Sequence, residues 1–499
     1  MNAAALYEQY QTKMQKIADV KYASAVLQWD QETYLPPRGA GFRGQQLATL
    51  SEMAHALFTE PATGELLQQL HDAEGLDTTQ QTNIALSLED YNKNKKLSSD
   101  FVRRMSEAVN KSFHAWIQAR RENDFGVFAA PLAELVQLKK QEAHFLGFDE
   151  HPYDALLNDY DKGLTMAKVD DFFAGLVPQL QLILEKVNNH APVDNSFLKQ
   201  HFGKQPQWDV GVELLSAIGF DWEAGRQDIS EHPFTTNFNS CDVRITTRID
   251  ENDFGNMTWS CLHEGGHALY EQGLPASQYG LPLGEYCSVS IHESQSRIWE
   301  NCVGRHWPFW QKNFPLLVKY FPEQFATVSV EKFMAAINKV EPSLIRTEAD
   351  EVTYHFHVLI RCEIEKHLIE GSLSARDIPF YWNDLYRKYL GIEVPDDRRG
   401  CLQDVHWSHG SFGYFATYSL GSLYAAQFYH AAQKSHPQLE SELAAGNNSV
   451  LLNWLRREIH ANGRRYNSLE LCRQATGEEL NSRYFTDYIL GKLHRFMGL

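Results

Sequence analysis

The sequence has no surplus of positive charge: 46 Lys and Arg stand against 64 Asp and Glu, a formal net charge of -18. Phosphate backbones are bound chiefly by lysine and arginine, so this balance argues against a nucleic-acid partner. It favours solubility without specifying a ligand. No CxxC pair is present either. The seven cysteines, Cys241, Cys261, Cys287, Cys302, Cys362, Cys401 and Cys472, are scattered and odd in number. That pattern excludes a disulfide framework and predicts reduced thiols packed as small apolar residues, as in a cytosolic protein. No run approaches the roughly 20 apolar residues that span a bilayer. The first residues carry neither the basic stretch nor the apolar core of a secretory signal. The expectation is a soluble, cytoplasmic protein with no membrane partner.

What is present is ordinary globular usage in a chain of 499 residues, 43% hydrophobic and 22% charged, which is too long for one small core. Neither an internal repeat nor a low-complexity linker marks a boundary, so residues 1–499 read as a single unit, with two lobes or an extended helical body expected. Most of the chain has helical period. Residues 3–28 place apolar groups three and four apart, and Leu35-Pro36-Pro37 breaks the pattern before a second helix near Gly41. From 79 to 146 several long helices are expected, with Ser98 to Asp100 as a cap and Asn123 to Gly126 as a break. Thr165 opens another helix that runs to about Val187. Only Cys241 to Asp250 alternates apolar and polar residues with period two, which predicts a strand. Helices resume over 255–272, 286–305, 330–338, 345–370 and from 413 onward, with Gly371 and Gly391 as stops.

The chemistry begins at His263-Glu264-Gly265-Gly266-His267. Residues four apart share a helix face, so the two imidazoles can point at one ion. Glu264 is rotated by about 100° from His263, beside a metal rather than on it, where a carboxylate can hold a water and take its proton. Two glycines inside a helix cost about 1 kcal/mol each against alanine. A cleft floor that lets other backbone or substrate approach has a use for them. With 21 histidines in the chain the string alone can arise by chance, and a catalytic zinc needs a third protein ligand. Glu293, in Ser290 to Arg297 on the next helix, is the candidate. His292 competes with it, and the two lie about 100° apart around the helix.

Taken as an ordered set, the motifs resemble the carboxypeptidase Taq family of thermostable zinc metallocarboxypeptidases. The set runs from Trp29-Asp30-Gln31-Glu32-Thr33 through His232-Pro233-Phe234 and Asp242-Val243-Arg244-Ile245-Thr246 to the histidine motif. It continues with His292-Glu293-Ser294-Gln295, Arg346 to Glu351, Gln403-Asp404-Val405-His406-Trp407 and Gly413 to Tyr418. The resemblance implies a mainly α fold, a large helical body with a deep active-site cleft and a small β element, similar to angiotensin-converting enzyme and neurolysin. It implies release of single residues from peptide C-termini with broad specificity, in a homodimer. It assigns His263, His267 and Glu293 as zinc ligands and Glu264 as general base. Ala416 stands where many relatives have proline, which bears only on loop stiffness.

An exopeptidase must hold the terminal carboxylate of its peptide substrate, and arginine suits that task. Arg244 and Arg346 are the candidates. Arg244 is out of phase with Val243 and Ile245 on its strand; Arg346 is expected at the start of helix 345–370, with an internal ion pair to Glu348 or Asp350 as its competing use. His406 and Tyr418 are candidate donors to the tetrahedral oxyanion. Asp404 is a candidate acceptor for His406 or a ligand histidine, and His232 a candidate cleft residue. Ligand types do not separate zinc from cobalt. An oligopeptidase or dipeptidase with the same chemistry is the nearest alternative, and a non-catalytic metal-binding scaffold a more distant one. The aromatic residues are read as core.

Overall fold

The computed structural model describes residues 2–497. They are mainly helical with one three-stranded sheet. The first helix is Ala3–Thr33, capped by the Asn2 side chain, and it packs on Ala40–Thr59 beyond the proline break. Ser98 and Thr165 cap Ser99–Glu122 and Met166–Asn188 as their sequences predict, each accepting a bond from a first-turn backbone N–H. Asn123, at φ 57°, ends the former helix in the left-handed region. Gly371 and Gly391 close Tyr354–Glu370 and Ile378–Leu390 at φ 96° and 70°, conformations that cost glycine little. Five of the cysteines, Cys261, Cys302, Cys362, Cys401 and Cys472, are buried free thiols, and Cys241 is exposed. Among the described residues no helix is long and apolar enough to cross a membrane.

Three expectations need correction. The strand over Cys241 to Asp250 is there, as Asp242–Thr247, but it is the third of three. Gly225–Ile229 (β1) and Thr235–Asn239 (β2) flank it in the order β1-β3-β2, with β1 parallel and β2 antiparallel to the central strand (β3). Next, 345–370 is not one helix: Arg346–Glu348 is a separate 3-10 turn, and the helix begins at Tyr354. Finally, 286–305 starts late, at Val289 behind a Ser288 cap, and its second half, Ile298–Val303, is a π-helix. Such wide turns recur at functional sites.

Backbone proximity divides the chain into two compact units. The first comprises Met1–Lys95, Asp194–Met334 and Phe428–Glu479; the second comprises Lys96–Val193, Ala335–Gln427 and Leu480–Leu499. The first unit is built around the helix Phe254–Glu271, whose N-terminus is capped by Asp253. Its first residue, Phe254, sits among Phe202, Phe321, Phe325 and Phe333 in mostly edge-on contacts, 5.2 Å between ring centroids for Phe325. The helix Lys204–Ile218 lies along one side of it and the sheet along another. The double glycine belongs to this packing. A Cβ on Gly266 would come within 2.6 Å of the Gln295 carbonyl oxygen and Ser296 Cα, and one on Gly265 within 2.6 Å of the Leu215 side chain. The close approach that glycine permits is therefore that of neighbouring helices.

In the second unit the helix Tyr354–Glu370 is the axis, and it carries a fully buried carboxylate. Glu365 accepts hydrogen bonds from Tyr153 OH at 2.5 Å, Trp407 Nε1 at 2.8 Å and the Gly413 amide at 2.8 Å. It thereby ties Pro152–Tyr160 to the 406–413 loop. Burial outweighs these three donors and pushes the carboxyl up to about 7 from 4.5. The unfolded chain releases this proton near pH 4.5 while the folded protein holds it to about pH 7. The folded state thus binds more protons between those values, and stability falls as pH rises across them. The expected loss from this group is up to roughly 3 kcal/mol. Urea unfolding of Glu365→Gln across this range should show a lower stability but a flatter pH slope than the parent. Equal slopes would exclude Glu365 as the source.

Candidate functional site

His263 and His267 project from one face of Phe254–Glu271, and Glu293 comes from the antiparallel helix Val289–Arg297 that Gly266 lets approach. The three ligand atoms lie within 4.8 Å of one another. Glu293 Oε2 is 3.8 Å from His263 Nε2 and 3.7 Å from His267 Nε2. The edges of a tetrahedron with zinc bonds near 2.1 Å are about 3.4 Å. Two imidazole nitrogens and a carboxylate oxygen at these separations fit a zinc ion. His292, the competing ligand, has both ring nitrogens turned elsewhere, to His267 Nδ1 at 2.5 Å and Glu271 Oε1 at 2.8 Å.

Each candidate ligand has a second partner behind it. His263 Nδ1 is 2.9 Å from Glu300 Oε2. Arg297 joins the two acids, with Nε 2.7 Å from Glu293 Oε1 and Nη1 3.3 Å from Glu300 Oε2. Arg305, stacked on Trp259 with 4.1 Å to the ring centroid, reaches the other Glu300 oxygen at 3.3 Å. Burial opposes the ionised form of Glu300, but Arg297, His263 and Arg305 together hold its carboxyl well below the usual range. For His263, burial disfavours the cation and the acidic pair Glu293 and Glu300 outweighs it, so its affinity for a proton is raised. His267 is lowered by burial and by the neighbouring His292.

Glu264 lies one helix step round from His263, beside the three clustered groups rather than among them, and is 7% exposed. Thr235 on β2 donates its hydroxyl hydrogen to Glu264 Oε2 at 2.6 Å. Burial raises this carboxyl above its ordinary value, with Thr235 acting in the opposite direction. Two residues along, Asn237 donates to Glu271 Oε2. Alternate side chains of β2 thus fix two acids of one helix, and the sheet's other face takes Arg226 and Arg244, which are register partners.

Arg244 faces away from Val243 and Ile245 as expected. Its guanidinium lies between Trp29 and Phe238, 4.4 and 4.8 Å from the ring centroids, and holds Asp242 through two bonds of 2.9 and 3.0 Å. His232 is exposed, on the loop before β2.

Arg346, Asp404, His406 and Tyr418 all belong to the second unit. Arg346 is buried and does form an internal ion pair, but with Asp404 rather than with Glu348 or Asp350. Asp404 receives Arg346 Nη2 at 2.8 Å on one oxygen and Arg361 Nε at 2.6 Å on the other. These two cations overcome burial and keep the Asp404 carboxyl far below its usual range. Asp404 therefore orients arginines: its oxygen is 4.0 Å from His406 Nδ1, beyond hydrogen-bond reach. His406 Nε2 instead pairs with Tyr418 OH at 3.1 Å. Burial and Arg346 push this imidazole down to about 3, so it is neutral at physiological pH.

Sequence reasoning missed Glu271, Glu300 and Thr235. Two of them had a signal: Glu271 is four residues beyond His267, and Glu300 is seven beyond Glu293 on the same helical face.

The family model for carboxypeptidase Taq (M32) metallopeptidases matches residues 9–493. Thermostable carboxypeptidase 1 of Thermus thermophilus is 38% identical over 100% of both chains. The crystal structure of M32 carboxypeptidase from Deinococcus radiodurans aligns with a TM-score of 0.97 at 38% identity, covering 99% of this chain and 100% of that one. A further solved structure, described as "The Structure of CHT", is 58% identical with a TM-score of 0.96, covering 98% of this chain and 99% of that one. The chain belongs to the carboxypeptidase Taq (M32) family and is a metallocarboxypeptidase.

Proposed function

We propose that the metal is zinc, held by His263, His267 and Glu293, that Glu264 is the general base, and that the enzyme removes single residues from peptide C-termini with broad specificity. The observation that supports this most is the convergence of two Nε2 atoms and one carboxylate oxygen beside a separate buried glutamate. A bound zinc supplies Lewis acidity to an attacking water and to the scissile carbonyl; cobalt offers the same ligand preferences. Glu264 takes the proton of that water on its free oxygen while Thr235 holds the other, then returns the proton to the leaving amine. His406, neutral, donates from Nε2 to Tyr418 OH and so leaves the Tyr418 hydroxyl hydrogen for the oxyanion.

Arg244, Arg346 and His232 are the proposed substrate residues. Arg244 ranks first for the terminal carboxylate, because its side chain is 18% exposed against 7% for Arg346. Asp242 and two aromatic rings hold its fork rigid, so little side-chain freedom is lost on binding. A cytoplasmic location is inferred from the scattered free cysteines, and a homodimer from the family resemblance.

The test uses matched peptides with a free and an amidated C-terminus. Cleavage of the free acid one residue at a time, with at least ~10-fold slower cleavage of the amide, is expected from losing a charge-assisted pair. Equal cleavage of both would favour an oligopeptidase.

A further inference from the structure

One of the two ligand histidines is backed by a carboxylate and the other by a histidine. His267 turns Nε2 toward Glu293 and Nδ1 toward His292 Nδ1, 2.5 Å away. His292 Nε2 lies 2.8 Å from Glu271 Oε1, and Glu271 Oε2 accepts from Asn237 Nδ2 at 2.5 Å. The row has only one consistent order of hydrogens. A histidine that binds metal through Nε2 carries its hydrogen on Nδ1, so His292 Nδ1 must accept it. The hydrogen of His292 is then on Nε2 and goes to Glu271. Glu271 is 3% exposed, and both its oxygens are acceptors in this row.

We propose that His292 and Glu271 are positioning residues for His267. Together they fix its tautomer and ring orientation, and Asn237 links that orientation to β2. His263 obtains the same service directly from Glu300. The proposal rests on the metal centre proposed above.

Glu271→Gln is the sharpest variant. It keeps the side-chain shape but replaces one acceptor oxygen with an NH2 group, which sets a donor against either His292 or Asn237. Zinc affinity, read by competition with a chelator, is expected to fall by about 10-fold, and for His292→Ala by up to about 100-fold. The reloaded Glu271→Gln enzyme should lose kcat with KM for the peptide little changed. Its cobalt-substituted form should keep the band intensity of the parent ligand number while the bands shift in position. A purely structural role would lower the melting temperature and leave metal affinity and spectrum alone. Folded Glu271→Gln with parental zinc affinity overturns the proposal, and this variant decides the matter if His292→Ala does not fold. Metal loss in His292→Ala as complete as in His267→Ala also overturns it, by making His292 a ligand. Retention of zinc by His267→Ala would instead bring down the metal-centre reading itself.

Discussion

Glu264→Gln is expected to keep zinc near one per chain while kcat/KM on a free-acid peptide falls by roughly 10²–10⁴-fold, the usual worth of a positioned acid or base. The substitution is isosteric. Its amide oxygen can still accept from Thr235, whose hydroxyl now lies 2.6 Å from Glu264 Oε2. Glu264 lies one helix step away from the ligand face, so the three ligand atoms keep their places. Burial of the carboxylate ends with the substitution, and thermal stability should hold or rise. Metal analysis and steady-state kinetics on one preparation read both quantities. Turnover within a few-fold of the parent would remove Glu264 from the chemistry.

Glu293→Ala should have the opposite profile, with the metal itself lost. Two imidazoles remain, and a catalytic zinc site takes three protein ligands. The drop in zinc affinity should exceed the roughly 10–100-fold that loss of an outer partner costs. Arg297 would forfeit its 2.7 Å bond to Glu293 and keep the 3.3 Å contact to Glu300. His263 and Glu300 would stay paired, so the fold around the site should survive. Chelator competition with circular dichroism separates metal loss from unfolding. Full zinc retention would refute the assignment of Glu293. The recruitment of His292 that such a result would require means breaking its contacts to both His267 and Glu271.

The sequence by itself determined whatever depends on neighbours along the chain. Helix starts at Ser98 and Thr165, stops at Gly371 and Gly391, a strand within 241–250 and the shared face of His263 and His267 are all local. Each follows from a cap or a period within a few residues. The strands β1 and β2, with the sequences GRQDI and TTNFN, carry too few apolar residues to alternate. They exist as strands because β3 offers them a ladder. The expected helical start at Arg346 fails for a similar reason: its guanidinium is drawn to Asp404, 58 residues away, which no local period encodes.

Tertiary structure also favours Glu293 over His292 as the third ligand. Both sit on one helix, and the placement of Glu271 and His267 against it turns the His292 nitrogens aside while a Glu293 oxygen faces both imidazoles. The double glycine has a packing cause that becomes visible once Gln295 and Leu215 are brought against the helix. Local rules place side chains on a face; which distant acid, ring or backbone meets that face is set by the packing of whole elements, and the outer partners of the metal centre are of that kind.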